Sequence, residues 1–110
     1  MDDSLLSEHV ERFNEGIRSG EWEPMLAYFA PDAELVFEGV PVGPFVGREA
    51  IADAYRMQPP DDEVRLLGPV REEGGDLVAD YAWTLDGTRA GRMLVTPCDG
   101  MIARLVVTFE

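Results

Sequence analysis

The stretch LVADYAWTLDGTRAGRMLVTPCDGMIARLVVTF, Leu77 to Phe109, holds three apolar runs separated by two Asp-Gly pairs, Asp86-Gly87 and Asp99-Gly100. Asp and Gly tolerate the positive φ that a two-residue type I′ turn needs at both central positions, and that turn matches the twist of paired strands. The stretch therefore predicts a three-stranded antiparallel meander. Counting outward from the first turn sets Leu85 opposite Thr88, Trp83 opposite Ala90, Tyr81 opposite Arg92, Ala79 opposite Leu94 and Leu77 opposite Thr96. From the second turn, Cys98 faces Met101, Thr96 faces Ala103, Leu94 faces Leu105 and Arg92 faces Val107. One face then carries Leu77, Ala79, Tyr81, Trp83, Leu94, Leu105, Val107 and Phe109, with Arg92 as its charge, and reads as a pocket floor. The other carries Val78, Ala82, Met93, Val95, Ile102 and Val106 among Asp80, Arg104 and Thr108. A half-buried antiparallel sheet shows polar residues on its solvent side, so this second face is expected to pack on a partner, with Met93, Val95 and Val106 central.

Upstream, Leu6, Val10, Phe13 and Ile17 recur at helical spacing and predict a helix from Ser4, as N-cap, to about Arg18. Pro24 suits the first turn of a second helix over Glu23 to Phe29, which Pro31 ends. Leu35 and Phe37 alternate with Glu34 and Val36 in a short strand from Ala33 to Glu38. The segment Gly39-Val-Pro-Val-Gly-Pro-Phe45 reads as an ordered loop able to wall a pocket. A third helix over Arg48 to Met57 places Ile51, Ala54 and Tyr55 on one face, and Val64 to Val70 is a further strand, joined to the meander by a turn over Glu72 to Asp76.

The chain has 110 residues, 45% of them hydrophobic, which fits one domain over 1–110 with a single core. Acidic residues number 22 against 9 basic ones, all of them Arg, for a net charge of −13. That charge disfavours nucleic acid and anionic membranes as partners. A lone cysteine, Cys98, and a lone histidine, His9, leave no basis for a disulfide, a cysteine-rich zinc site or a multi-histidine metal centre. No cofactor or metal is expected, although a carboxylate-only Mg²⁺ or Ca²⁺ site stays open. With no leader pattern and no apolar run long enough to span a membrane, the chain is expected to be cytoplasmic.

Helix, helix, short strand, helix and four-strand sheet, in that order, resembles the nuclear transport factor 2-like superfamily, which includes ketosteroid isomerases and SnoaL-like polyketide cyclases. The resemblance is carried by Phe13 with Ser19-Gly20-Glu21-Trp22, by Tyr28-Phe29-Ala30-Pro31-Asp32-Ala33, by Gly47 to Ile51 and by Gly100-Met101-Ile102. It implies an α+β, cystatin-like cone: a curved antiparallel sheet wrapped by three helices around an apolar cavity, dimerising sheet to sheet. Residue by residue it also argues against steroid isomerisation, which needs a carboxylate base, a Tyr and a protonated Asp. Those positions fall on Phe37, Phe13 and Arg92, and Glu38 beside Phe37 points away unless a bulge turns it inward.

Candidate ligand contacts are Phe13, Phe37, Tyr55, Tyr81, Trp83 and Arg92. Arg92 on an apolar face asks for a counter-charge, either an acidic ligand or a structural carboxylate such as Glu38. Tyr81 and Trp83 fit either a cavity wall or plain core packing. His9, one residue off the apolar stripe, is expected to be half-exposed, Asp61-Asp62 to form a solvated turn, and Cys98 to be no nucleophile. Two functions stay open: a homodimeric binder of a small, partly apolar or anionic molecule, with cofactor-independent isomerase, cyclase or hydrolase-type chemistry undecided, or a noncatalytic dimerisation module whose cone is filled by its own side chains.

Overall fold

The computed structural model describes residues 4–57, 59–60, 62–85 and 87–109. Helix α1 (Ser4–Ser19) and the single turn α2 (Glu23–Leu26) precede β1 (Phe29–Glu38), β2 (Phe45–Val46) and α3 (Arg48–Met57). Four long strands follow: β3 (Val64–Glu73), β4 (Asp76–Trp83), β5 (Arg89–Cys98) and β6 (Met101–Thr108). They form one six-stranded sheet in the order β2-β1-β6-β5-β4-β3. The sheet is mixed: β1 runs parallel to β6, and the other neighbours are antiparallel. It is an α+β cone, its curvature helped by bulges in four of the five strand pairings.

The second predicted helix stops at Leu26, and its end belongs to β1, where fully buried Phe29 pairs with Ile102. Pro31, expected to end the helix, lies in the strand where pairing is interrupted between Phe29 and Glu34. Proline has no N–H for a ladder and is tolerated at such a break. The turn between β3 and β4 is also tighter than predicted, only Gly74-Gly75. The N-cap role assigned to the Ser4 side chain lies outside the described residues.

The Asp99-Gly100 turn is as read, with φ of 52° and 78° and Cys98 opposite Met101. Beyond it a bulge at Thr96/Pro97 slips the register by one, so Leu94 faces Val106 and Met93 faces Val107. The first turn departs sooner. Its Asp86 lies outside the described residues, β4 ends at Trp83 and β5 starts at Arg89. Gly87 N–H donates to the Trp83 carbonyl (2.8 Å), and Asp62 accepts from the Thr84 hydroxyl (2.7 Å) and the Leu85 N–H (3.2 Å). That longer, tethered connection and a bulge beside Ala82 set Tyr81 opposite Gly91 and Arg92 opposite Asp80.

Because side chains alternate along a strand, this one-residue slip exchanges the faces of β5. Met93 and Val95 are buried in the core with Leu77, Ala79, Tyr81, Leu105 and Val107. Arg92 and Leu94 turn outward. Gly91 has a steric reason for its identity: a Cβ there would overlap the Thr108 carbonyl. Gly91→Ala is expected to cost roughly 1–3 kcal/mol as the strands part, seen as a melting temperature lowered by several degrees.

The helices are fastened to the sheet at defined points. Asn14 on α1 donates to the Val64 carbonyl and accepts from the Val64 N–H, both at 2.8 Å, which clamps the start of β3. Arg48 at the start of α3 donates through Nε (3.0 Å) and Nη2 to the Phe29 carbonyl, beside the pairing break in β1. Leu5, Leu6, Val10 and Phe13 of α1 and Ile51, Ala52 and Tyr55 of α3 close the core over the concave face.

Candidate functional site

Under α1 and α3, at the open end of the cone, lies a cavity of about 220 Å³. Phe13 of α1 and Ala54 and Tyr55 of α3 roof it, and Leu35 and Phe37 of β1, Phe45 of β2 and Trp83 at the end of β4 form its walls. Val42, Pro60 and Phe109 join the lining, and six of the ten described lining side chains are aromatic. The rings pack on one another: Phe37 meets Phe45 edge-on at 6.3 Å and Phe109 at 6.0 Å, and Phe13 meets Tyr55 edge-on at 6.3 Å. Trp22 lies behind Tyr55 at 4.9 Å. Gly16 permits this, since a Cβ there would overlap the Trp22 indole.

Four of the six residues singled out from sequence, Phe13, Phe37, Tyr55 and Trp83, line this cavity. Tyr81 and Arg92 do not. Tyr81 is fully buried on the concave face and donates its hydroxyl to the Thr108 carbonyl at 3.0 Å, a bond that ties β4 to the end of β6. Arg92 stands on the convex face, about half exposed, with Nε 3.7 Å from Asp80 Oδ1. Asp80 also takes Arg89 Nη2 at 3.4 Å, and the Arg89 hydrogen bond holds its carboxyl below the usual range against desolvation, with the charges of Arg89, Arg71 and Arg92 adding to it. The pocket-floor arginine expected from the turn count is therefore a member of a surface charge cluster.

Glu38 pairs in register with Thr108 and is exposed; no bulge turns it toward the cavity. Val42 and Phe45 were foreshadowed by the Gly- and Pro-rich loop, and Leu35 by strand alternation. Phe109 stood on the face read as the pocket floor, and Pro60 carried no separate signal. Asp62 is engaged with the β4–β5 connection, and Asp61 lies outside the described residues. Exposed Cys98 has its Sγ 3.9 Å from Oδ2 of its neighbour Asp99.

His9 is buried, against the expectation of a half-exposed side chain. Its ring meets Phe29 edge-on at 5.6 Å, and its Nδ1 has no hydrogen-bond partner among the described residues. Burial, with a smaller push from the Arg12 guanidinium, lowers its pKa to about 4. A separate cleft of about 360 Å³ beside α2 and α3 is lined by Glu23, Arg48, Glu49, Asp53 and Arg56 with Leu26 and Ala52. Its cations are engaged: Arg56 pairs with Glu23 (3.2 Å) and Asp53 (3.6 Å), and Arg48 holds Phe29. Among the described residues no cluster of His, Cys, Asp or Glu is arranged to hold a metal, and no helix is long and apolar enough to cross a membrane.

The family profile of the SnoaL-like domain matches residues 10–108. The chain belongs to the SnoaL-like domain family. Solved structures agree on the fold. A protein from Sphaerobacter thermophilus is 23% identical with a TM-score of 0.70, over 96% of this chain and 93% of its own. A nuclear transport factor 2-like protein of unknown function from Burkholderia xenovorans LB400 is 13% identical with a TM-score of 0.72, over 100% and 86%. A de novo designed protein with a curved β-sheet is 21% identical with a TM-score of 0.68, over 100% and 88%. No curated protein matches the chain. A SnoaL-like cone that a designed sequence also adopts carries no activity of its own, so function rests on what the cavity holds.

Proposed function

We propose that this SnoaL-like protein binds a small, neutral, largely apolar molecule in the aromatic cavity, with Phe13, Phe37, Tyr55 and Trp83 among its contacts. The observation that carries this reading is the lining itself: about 220 Å³ of open space bounded, among the described residues, by ten side chains, none of them charged. Such a lining suits an apolar ligand held by area and shape, with a few polar groups for orientation. An anionic ligand loses its support, because Arg92 is on the other face of the sheet. Among the described residues the lining side chains include no carboxylate, imidazole or thiol, so proton abstraction from carbon has no base among these, which favours binding over isomerase, cyclase or hydrolase chemistry. Open space at the mouth of the cone speaks against a module filled by its own side chains.

Titration with indane, a compact neutral bicycle, followed by ligand-observed NMR, tests this. Wild type is expected to bind one equivalent, and Ala54→Phe, which builds a ring into the cavity from α3, to weaken binding at least tenfold with the circular dichroism spectrum unchanged. Equal binding by both proteins would place the ligand elsewhere and defeat the proposal.

The same reading includes a homodimer through the convex face. There the register aligns Val36, Val106, Leu94 and Val78 in one apolar row across β1, β6, β5 and β4. Neighbouring rows set Arg65, Arg71, Arg89, Arg92 and Arg104 among Glu34, Glu38, Glu73, Asp76 and Asp80, with Arg104 bridged to Glu34 at 3.1 Å. This face is thus close to neutral in a chain of net charge −13, and two copies meet there with the least repulsion.

A further inference from the structure

The connection from β1 to β2 carries no polar side chain anywhere over residues 39–46, in a chain of which 28% is charged. Loops run over the surface in water, so a wholly apolar one asks what it covers. Val40 and Val42 stand 38% and 43% exposed, yet Val42 and Phe45 also belong to the lining of the aromatic cavity. Both feet of the connection are held. The Phe109 N–H donates to the Glu38 carbonyl at 3.0 Å, and Gly39 lies so near Phe109 that a Cβ would stand 2.7 Å from its carbonyl oxygen. At the other foot Phe45 pairs with Leu35, and the Gly47 N–H donates to the Ala33 carbonyl at 2.7 Å. Between these anchors, residues 39–44 make no hydrogen bond among the described residues. Pro41 and Pro44 have no N–H with which to make one. A short segment tied at both ends and unbonded between them rearranges at little cost in free energy.

We propose that residues 39–44 are the lid of the cavity, and that Val40 and Val42 fold over a bound apolar molecule and close it off from water. The inference rests on the cavity reading above and adds the part that governs how the ligand leaves. A neutral hydrocarbon suits such a lid, because pressing two half-exposed valines onto it removes apolar surface from water on both sides. A charged group would hold its water under the lid and prop it open. The valines meet the ligand only after it has entered, so the lid acts on dissociation far more than on encounter.

The experiment uses indane with wild type and Val40→Ser. Amide hydrogen exchange read by NMR is expected to slow about fivefold or more at Val40 and Val42 when indane saturates wild type, and to stay unchanged at Gly74 and Gly75 in the β3–β4 turn. Val40→Ser separates a lid from a fixed wall, because Val40 is exposed and is not among the lining side chains. Indane should leave this variant about tenfold faster than wild type, with an association rate within about twofold, as followed by stopped-flow tryptophan fluorescence with Trp83 in the lining. The wild-type exchange data decide the matter even if the variant folds poorly. Exchange at Val40 and Val42 that indane leaves unchanged, or a wild-type dissociation rate from Val40→Ser, overturns the lid while indane binding leaves the cavity reading standing. Failure of wild type to bind indane overturns the cavity reading and this inference together.

Discussion

Val95→Glu is expected to unfold the protein, and Leu94→Glu, one residue away, to leave it folded and shift it from dimer to monomer. Val95 is fully buried on the concave face, where a carboxylate would have neither water nor a cation. The cost is on the order of 5 kcal/mol, comparable with the entire stability of many domains of this size. Leu94 is half-buried in the convex row between Val106 and Val78, and a carboxylate there stays solvated until a second copy covers it. Urea denaturation followed by circular dichroism reads the first effect, and sedimentation equilibrium the second. A Val95→Glu protein with a wild-type midpoint would mean that the faces of β5 are assigned the wrong way round. A wild type that sediments as a monomer at high micromolar concentration would remove the dimer.

That pair of substitutions also marks where the sequence stops being legible. Turn chemistry is local, and the Asp99-Gly100 turn with its first pair, Cys98 and Met101, follows from two residues. Register farther along a strand depends on every intervening residue being paired. Pro97 has no N–H to offer, and its place inside a strand was a visible warning of the bulge beside Thr96. Gly91 was a second warning, since a strand glycine often marks close backbone approach, here of Thr108. Asp62 was not a warning at all: it stands just before β3 and meets the β4–β5 connection only because β3 pairs with β4, which neither turn reveals. One residue of slip was enough to move Arg92 out of the pocket and Val95 into the core.

The candidate site was legible to the extent that it is built from short-range pattern. Phe13, Tyr55 and Phe37 are set by helix and strand periodicity, and Trp83 stays on the concave face because β4 itself keeps its alternation. The parallel pairing of β1 with β6 is different in kind. It joins the first long strand to the last, and it closes Leu35 and Phe37 against Leu105 and Val107. The loop carrying Val42 and the residue after β6, Phe109, were each read as facing a pocket, and the folded chain brings them to the same cavity.

Acid is expected to weaken the fold through His9. The unfolded chain takes up a proton on this imidazole near its ordinary pKa of 6.5, whereas the folded chain resists until about 4, because burial strips the ring of solvent and Arg12 adds a like charge. Between those two values the unfolded state binds more protons, so stability falls as pH drops from about 6.5 to about 4 and the loss then levels off. The full span is worth about 3 kcal/mol. Among the described residues, the contacts around the ring supply no counter-charge. Phe29 meets the ring edge-on, Glu8 is engaged with Arg12 at 2.8 Å, and the Arg12 guanidinium lies over Tyr28 at 3.4 Å from the ring centroid. Protonation of the many surface carboxylates acts in the opposite sense, relieving the repulsion of a chain of net charge −13, so the wild-type profile alone mixes two effects. The difference between wild type and His9→Leu separates them, since both proteins share the carboxylates. Measured by urea denaturation at closely spaced pH, that difference should move against wild type by about 3 kcal/mol from pH 7 to pH 4. A difference that stays flat across this window would show that the imidazole finds water or a counter-charge in the folded chain, and that the buried, unpaired Nδ1 is not its resting state.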